Sequence, residues 1–350
     1  MFFASDNTSG AAPEILAAVV AANDGYDRSY GADALMDRVR AQMREMFEAP
    51  EAAVFLVPTG TAANALSLAL LTPPWGAVFC HTEAHVAVDE CGAPEFYTGG
   101  AKLVVIGGAH GRIDADALAQ AVSSDFHASV HGVQRASLSL TNVTEAGTVY
   151  SVAEITQLAG IAKAAGMGVH MDGARFANAI TALGCSPAEM TWKAGIDILS
   201  FGGTKNGCLG AEAVVIFDPA KAWEFELRRK RAGHLFSKHR FLSAQMAAYL
   251  EDGLWLRLAA HANAMGARLA AGIAALPGGS LTHPVQANMV FAGFPRAGHV
   301  RTQAAGARYN MIPFAQSLGG PGDEALTARL VCSWSTTEGD VDRFLTLIRG

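Results

Sequence analysis

The sequence predicts an α/β chain in which a mostly parallel seven-stranded sheet is flanked by helices and followed by a smaller C-terminal α+β domain. Three observations carry this. Short apolar runs rich in Val, Ile and Leu alternate with longer Ala-rich segments of helical period, the pattern that builds a parallel sheet covered by helices. After Pro219 the texture changes, and a basic stretch leads into a long Ala-rich segment that Pro277-Gly278-Gly279-Ser280 breaks. Apolar residues make up 51% of the chain and charged residues only 17%, enough for a large core or a subunit interface.

Seven runs are expected as strands of the large sheet: Ala52–Val57, Ala77–Cys80, Leu103–Ile106, Ala136–Leu140, Gly168–Met171, Ile196–Phe201 and Ala213–Phe217. Between them, helical periodicity marks Ala62–Leu71, Ala115–Val122, Val152–Ala165 and Arg175–Leu183. Ser151 caps the third of these, and Glu154 three residues on completes a Ser-x-x-Glu capping box. Beyond the basic helical stretch Ala220–Arg231, a long helix is expected over Ala244–Ala274. Strands near Ala287–Phe291, Ala307–Ile312 and Ala328–Ser333 follow, with a closing helix from Val341. The division falls at residues 1–245 for the large domain and 246–350 for the small one.

Composition also excludes partners. The net charge is −6, and the only compact basic run is Arg228-Arg229-Lys230-Arg231, so nucleic acid is not expected. The longest apolar runs, such as Ile15 to Ala22 and Ala65 to Leu71, fall short of the roughly 18 residues that a bilayer span needs. Five scattered cysteines form neither a disulfide framework nor a zinc knuckle and fit reduced thiols in a cytoplasmic protein. The opening Met1-Phe2-Phe3-Ala4-Ser5-Asp6 lacks the basic and apolar regions of a signal peptide.

Three strand-to-loop junctions carry chemistry. Val169-His170-Met171-Asp172-Gly173-Ala174-Arg175 places Asp172 at the carboxyl end of a strand, where open α/β sheets bind ligands. Alone, Asp172 reads equally well as a helix cap and Arg175 as a solvated first-turn residue. Leu199-Ser200-Phe201-Gly202-Gly203-Thr204-Lys205-Asn206-Gly207 holds a single lysine in a Gly-rich turn, suited to a Schiff base, with glycines that admit a bulky aldehyde cofactor. Pro58-Thr59-Gly60-Thr61-Ala62-Ala63-Asn64 precedes a helix whose free amides and Thr hydroxyls suit a phosphate dianion. A phosphate cradle, a carboxylate for a pyridinium nitrogen and a Schiff-base lysine are together what pyridoxal 5'-phosphate needs.

With these residues in view, the chain resembles the low-specificity L-threonine aldolases, pyridoxal-phosphate enzymes of the aspartate aminotransferase fold (fold type I). The matching segments are Ala4-Ser5-Asp6-Asn7, Tyr30-Gly31-Ala32-Asp33, Gly60-Thr61-Ala62-Ala63-Asn64, Ala84-His85, Asp89 to Phe96, His170 to Phe176, Phe201 to Gly207 and Arg329 to Trp334. The resemblance implies Lys205 as the cofactor lysine, Asp172 as the pyridinium partner and Arg175 near the cofactor's phenolic oxygen or the substrate carboxylate. It implies Gly60 and Thr61 for the phosphate, helped by Thr204, and His85 stacked on the ring. Ser5 and Arg329 would bind the amino-acid carboxylate, and Tyr30 would line the site of a neighbouring subunit in a homotetramer built as a dimer of dimers.

Arg329 also has independent sense, as a guanidinium at the end of an apolar strand able to pair bidentately with a carboxylate. A second histidine near the substrate β-hydroxyl is implied, for which His131 is the candidate and His127 the substitute. Lys230 is a candidate for the cofactor phosphate across a subunit boundary. The expected reaction is retro-aldol cleavage of a β-hydroxy-α-amino acid to glycine and an aldehyde, with His85, His131 or a water as base. Within the fold, β-elimination, transamination and aldolases for phenylserine or hydroxyaspartate compete. From other classes come a zinc hydrolase built on His81 and His85 and a non-catalytic binding protein.

Overall fold

The computed structural model describes residues 1–350 apart from Ala315, and Ala128 only in its backbone. All seven predicted runs form strands: β1 (Ala53–Val57), β2 (Gly76–His81), β3 (Lys102–Ile106), β4 (Gln134–Thr141), β5 (Gly168–Gly173), β6 (Ile198–Gly202) and β7 (Glu212–Ile216). They make one sheet in the order β1-β7-β6-β5-β4-β2-β3. Neighbours from β3 to β6 pair in parallel, whereas β7 is antiparallel to both β6 and β1. Two reversals leave β1 parallel to β6. The carboxyl ends of β1, β2, β4, β5 and β6 therefore open on one edge of the sheet.

Successive side chains of a strand face opposite sides of a sheet, and every residue of β1, β2, β6 and β7 is buried. Both faces are thus covered, which explains why these strands read as continuous apolar runs without alternation. The predicted helices are present at Gly60–Leu71, Ala115–Ser123, Val152–Ala164 and Phe176–Leu183, and Ser151 and Glu154 close the predicted capping box.

A second sheet, all antiparallel, joins β10 (Asn310–Ile312), β11 (Ala325–Val331), β9 (Met289–Pro295) and β8 (Ser280–Leu281). Its own core gathers Leu269, Ile273, Val290, Phe294, Leu330 and Phe344. The N-terminal arm docks on this sheet: Phe3 N–H donates to Arg308 O at 2.7 Å, and Val331 N–H donates to Phe3 O at 2.8 Å. The buried Phe3 ring packs edge-on to Phe344. Residues 4–7 are thereby carried to the large sheet's open edge.

Several expectations about the C-terminal third change. The single helix expected over Ala244–Ala274 is two, Arg240–Leu250 and Leu254–Ala274. Asp252 and Gly253 take left-handed backbone between them, at φ 48° and 67°. Asp-Gly is a turn signal that the surrounding alanines mask. The three strands predicted there exist with shifted ends, the short β8 is additional, and the closing helix starts at Glu338, capped by Thr337.

Candidate active site

At the open edge lies a cavity of about 240 Å³ lined by Asn7, Thr59, Gly60, Thr61, Asn64, His85, Glu145, Asp172, Thr204, Lys205 and Glu212, among others. Each strand end delivers its part. After β1, Thr59 caps the helix Gly60–Leu71 by accepting from Ala62 N–H at 3.2 Å, leaving the Gly60 and Thr61 amides at the mouth of a helix N-terminus. A Cβ on Gly60 would meet no atom within 4 Å.

At the end of β5 the Asp172 carboxylate is buried. Its Oδ1 accepts from Ala174 N–H at 3.0 Å and its Oδ2 from Asn64 Nδ2 at 2.9 Å. Asp172 thus makes a local turn while facing the cavity, but it is not the helix cap of the alternative reading: Arg175 is the N-cap residue of Phe176–Leu183, without a side-chain cap bond. After β6 the turn Thr204–Asn206 carries Lys205, and Asn206 anchors it by donating to Tyr249 OH at 2.7 Å and Trp255 O at 2.8 Å. The glycines before the lysine serve the packing of this turn. A Cβ at Gly202 would lie 2.3 Å from Ala174 O, and one at Gly203 2.5 Å from Ala211 O.

Glu212, at the start of β7, closes the cavity beside Lys205 and accepts from Gly203 N–H at 2.8 Å. Burial pushes its carboxyl up to about 7, against the pull of the Thr204 and Gly203 hydrogen bonds and the Lys205 charge.

His85 begins the short helix after β2. Its Nδ1 lies 2.8 Å from Glu90 Oε1, and its Nε2 lies 3.6 Å from Asp89 Oδ2. The Glu90 hydrogen bond raises the imidazole above its ordinary range, outweighing burial. Burial in turn raises Glu90, even though His85 and Asn64 both bond to it. His81 is separate: it ends β2 with Nε2 3.2 Å from Gly108 O, and its Nδ1 accepts from Glu83 N–H at 3.1 Å. The helical i, i+4 spacing behind the zinc alternative is therefore not formed. Among the described residues no cluster of three or more His, Cys, Asp or Glu is placed to hold a metal.

Arg175 is not solvated. It is buried with Asp6, donating from Nε to Oδ2 at 2.6 Å and from Nη2 to Oδ1 at 2.9 Å. Arg329 is freer: Nη2 donates to Ala4 O at 3.3 Å, and the buried Nε has no partner among the described residues. Ser5 caps the turn Asp6–Thr8, its hydroxyl accepting from Asn7 N–H at 3.1 Å.

Ser5, Arg175 and Arg329 lie beside the cavity and not in its lining, and His131, His127, Tyr30 and Lys230 stand outside it too. His131 is exposed on the loop before β4, the amino end of that strand, whereas the cavity opens at carboxyl ends. His127 is spent on Val133 O at 2.8 Å and packs on Phe79. Tyr30 is 48% exposed, with Lys230 Nζ 4.9 Å from its ring. Sequence reasoning missed the roles of Asp6, Asn64, Glu90, Glu145 and Glu212. For Asn64 the signal was present, since it lies four residues, about one helical turn, after the Gly60 it shares a cavity with.

The donor set fits pyridoxal 5'-phosphate: an amine, a buried carboxylate, a flat imidazole and open helix amides share one cavity at a sheet edge. Fold and site together define a pyridoxal-phosphate enzyme of fold type I acting on an amino acid.

Residues 3–294 match the family model described as beta-eliminating lyase, and the chain belongs to that family. It is 42% identical over 347 residues to low specificity L-threonine aldolases of a Pseudomonas species and of Pseudomonas aeruginosa, covering 99% of this chain and 96% of each relative. Its fold is similar to the threonine aldolase of Leishmania major (TM-score 0.89, 27% identity, 99% of this chain and 98% of that one). Serine palmitoyltransferase of Sphingomonas wittichii shares the fold more distantly, with TM-score 0.69 and 14% identity over 100% of this chain and 86% of that one.

Proposed function

We propose that this chain is an aldehyde-lyase that cleaves L-threonine, L-allo-threonine and related β-hydroxy-α-amino acids between Cα and Cβ, giving glycine and an aldehyde. The observation that carries the reading is the shared cavity of Lys205, Asp172 and a carboxylate-backed His85, in a chain 42% identical to low specificity L-threonine aldolases. Pyridoxal phosphate, when bound, supplies an electron sink for the pair left by Cα–Cβ cleavage.

The chain's residues do the rest. Lys205 would hold the cofactor aldehyde through its amine, Asp172 would pair with the ring nitrogen, and His85 would lie against the ring. The Gly60 and Thr61 amides with the Thr204 hydroxyl would take the phosphate. Arg329 binds the substrate carboxylate beside Ser5, and Arg175 adds whatever edge its Asp6 pair leaves open. His85 has Nδ1 committed to Glu90, so Nε2 is its basic nitrogen, and it takes the β-hydroxyl proton as the carbonyl of the leaving aldehyde forms.

The exposed Tyr30 and the Lys230 over its ring serve a neighbouring copy's site, in a homotetramer working in the cytoplasm. No helix among the described residues is long and apolar enough to cross a membrane.

The test is a spectrum of the purified protein, then addition of L-threonine or L-allo-threonine with aldehyde detected by coupled reduction and Lys205→Ala as control. A near-visible band with aldehyde and glycine formed, both lost in the variant, is expected. A band without aldehyde would move the reaction to β-elimination or another pyridoxal chemistry, and no band would overturn the site.

A further inference from the structure

We propose that Glu90 is the positioning residue of His85: it holds the imidazole proton on Nδ1, leaves Nε2 as the working base, and is itself fixed by Asn64, which bridges it to Asp172. The role of the base rests on the retro-aldol reading above; the hold of Glu90 on His85 does not.

The Glu90 side chain is 0% exposed, and a buried carboxylate is costly unless its neighbours compensate. All of its compensation comes through one oxygen. Oε1 lies 2.8 Å from His85 Nδ1 and 2.9 Å from Asn64 Nδ2, while Oε2 has no partner among the described residues. A carboxylate shared in this way constrains two side chains of the cavity at once.

The same Asn64 nitrogen lies 2.9 Å from Asp172 Oδ2. An atom in contact with two carboxylate oxygens must be the donor, so the amide orientation is set by its neighbours. Asn64 spends one hydrogen on each carboxylate and has no proton to pass on. It separates Glu90 from Asp172, so the imidazole proton stays with the His85–Glu90 pair.

The helix from His85 ends at Val88, and the chain turns just past the contact, where Cys91 and Gly92 adopt consecutive left-handed conformations at φ 50° and 73°. For a non-glycine residue this is an uncommon conformation that surrounding structure has to enforce.

The charged groups acting on His85 are Glu90, Asp89, Asp172 and Glu145, with Lys205 in the same cavity. Asp89 is the competitor. Its carboxylate is 3.6 Å from Nε2, but the side chain is largely solvent-exposed, where an ion pair is worth little.

The experiment follows the diethyl pyrocarbonate labelling rate of His85 in the holoenzyme across pH, read by peptide mass spectrometry, alongside steady-state kinetics with L-threonine. Glu90→Gln should move the labelling midpoint down by about one unit or more, as loss of an adjacent opposite charge does. It should lower kcat by about 10²- to 10⁴-fold, the range of a lost general base, with KM within about twofold. Asp89→Asn should change neither. Glu90→Asp, which keeps the charge but shortens the reach, should keep the midpoint near native while kcat falls, and it serves if Glu90→Gln does not fold. An unmoved midpoint in Glu90→Gln, or an equal shift in Asp89→Asn, would overturn the assignment. A shifted midpoint in an enzyme that never cleaves threonine would leave Glu90's role standing and remove the aldolase reading.

Discussion

Asp6 and Arg175, 169 residues apart, form a bidentate ion pair that fastens the N-terminal arm to the carboxyl end of β5. Burial alone would raise the Asp6 carboxyl, but the charges of Arg175 and Lys205 outweigh it and hold it below the ordinary carboxylate range. Asn288 Nδ2 donates to the same carboxylate at 3.2 Å and to Cys332 O at 2.7 Å, so arm, large sheet and small sheet meet at one residue.

Removing one partner of such a pair strands the other in the interior, at a cost of about 3–5 kcal/mol. Asp6→Ala should therefore lower the thermal midpoint by several degrees and raise KM for threonine. Because the folded carboxyl lies below its unfolded value of 3.8, the pair's contribution is present above that pH and lost as pH falls further. Native stability should thus drop through the range below about pH 4, where the variant's stays flatter. Equal midpoints for both proteins at neutral pH would refute the pair's importance.

Arg329 makes a separate prediction. Its hydrogen bond to Ala4 O is long, its Nε has no partner among the described residues, and the side chain reaches from a strand of the small sheet toward the Asp6–Arg175 pair, whose charges it feels. A hydrogen bond to a charged group contributes about 1.5–3 kcal/mol, or roughly 10- to 150-fold in affinity. Arg329→Gln should raise KM for L-threonine by that factor while the cofactor band is retained. A KM within twofold of native would place the carboxylate elsewhere.

How much of this was readable follows from where each partner sits in the chain. Asp172 and Lys205 each end an apolar run and open a turn, so local pattern alone put them at one sheet edge. Gly60 and Thr61 followed for the same reason. Asp6 could be quoted from its motif but not given a role, because Arg175 enters only once the arm has docked on β11. Glu90 was hidden in a different way, being five residues from His85 and past the end of a helix of only four residues, too short for a periodicity to announce the contact. The Gly202-Gly203 pair was legible as a motif, and the structure adds a cause that sequence does not show, the crowding by Ala174 O and Ala211 O.

Glu212 carries the last prediction. Its carboxyl lies in the cavity wall with a folded value pushed up by burial to about 7, against 4.5 in an unfolded chain. Between those values the folded protein retains a proton that the unfolded chain has lost, so stability falls as pH rises through the window and levels off above it. At 1.36 kcal/mol per unit the full effect is about 3 kcal/mol. Glu212→Gln keeps an acceptor for the Gly203 N–H but has no proton to lose. Its denaturation midpoint should match native near pH 4.5 and exceed it by a growing margin toward pH 8. A constant offset between the two curves would mean that Glu212 titrates alike in the folded and unfolded chain, its burial offset by the Lys205 charge and its hydrogen bonds.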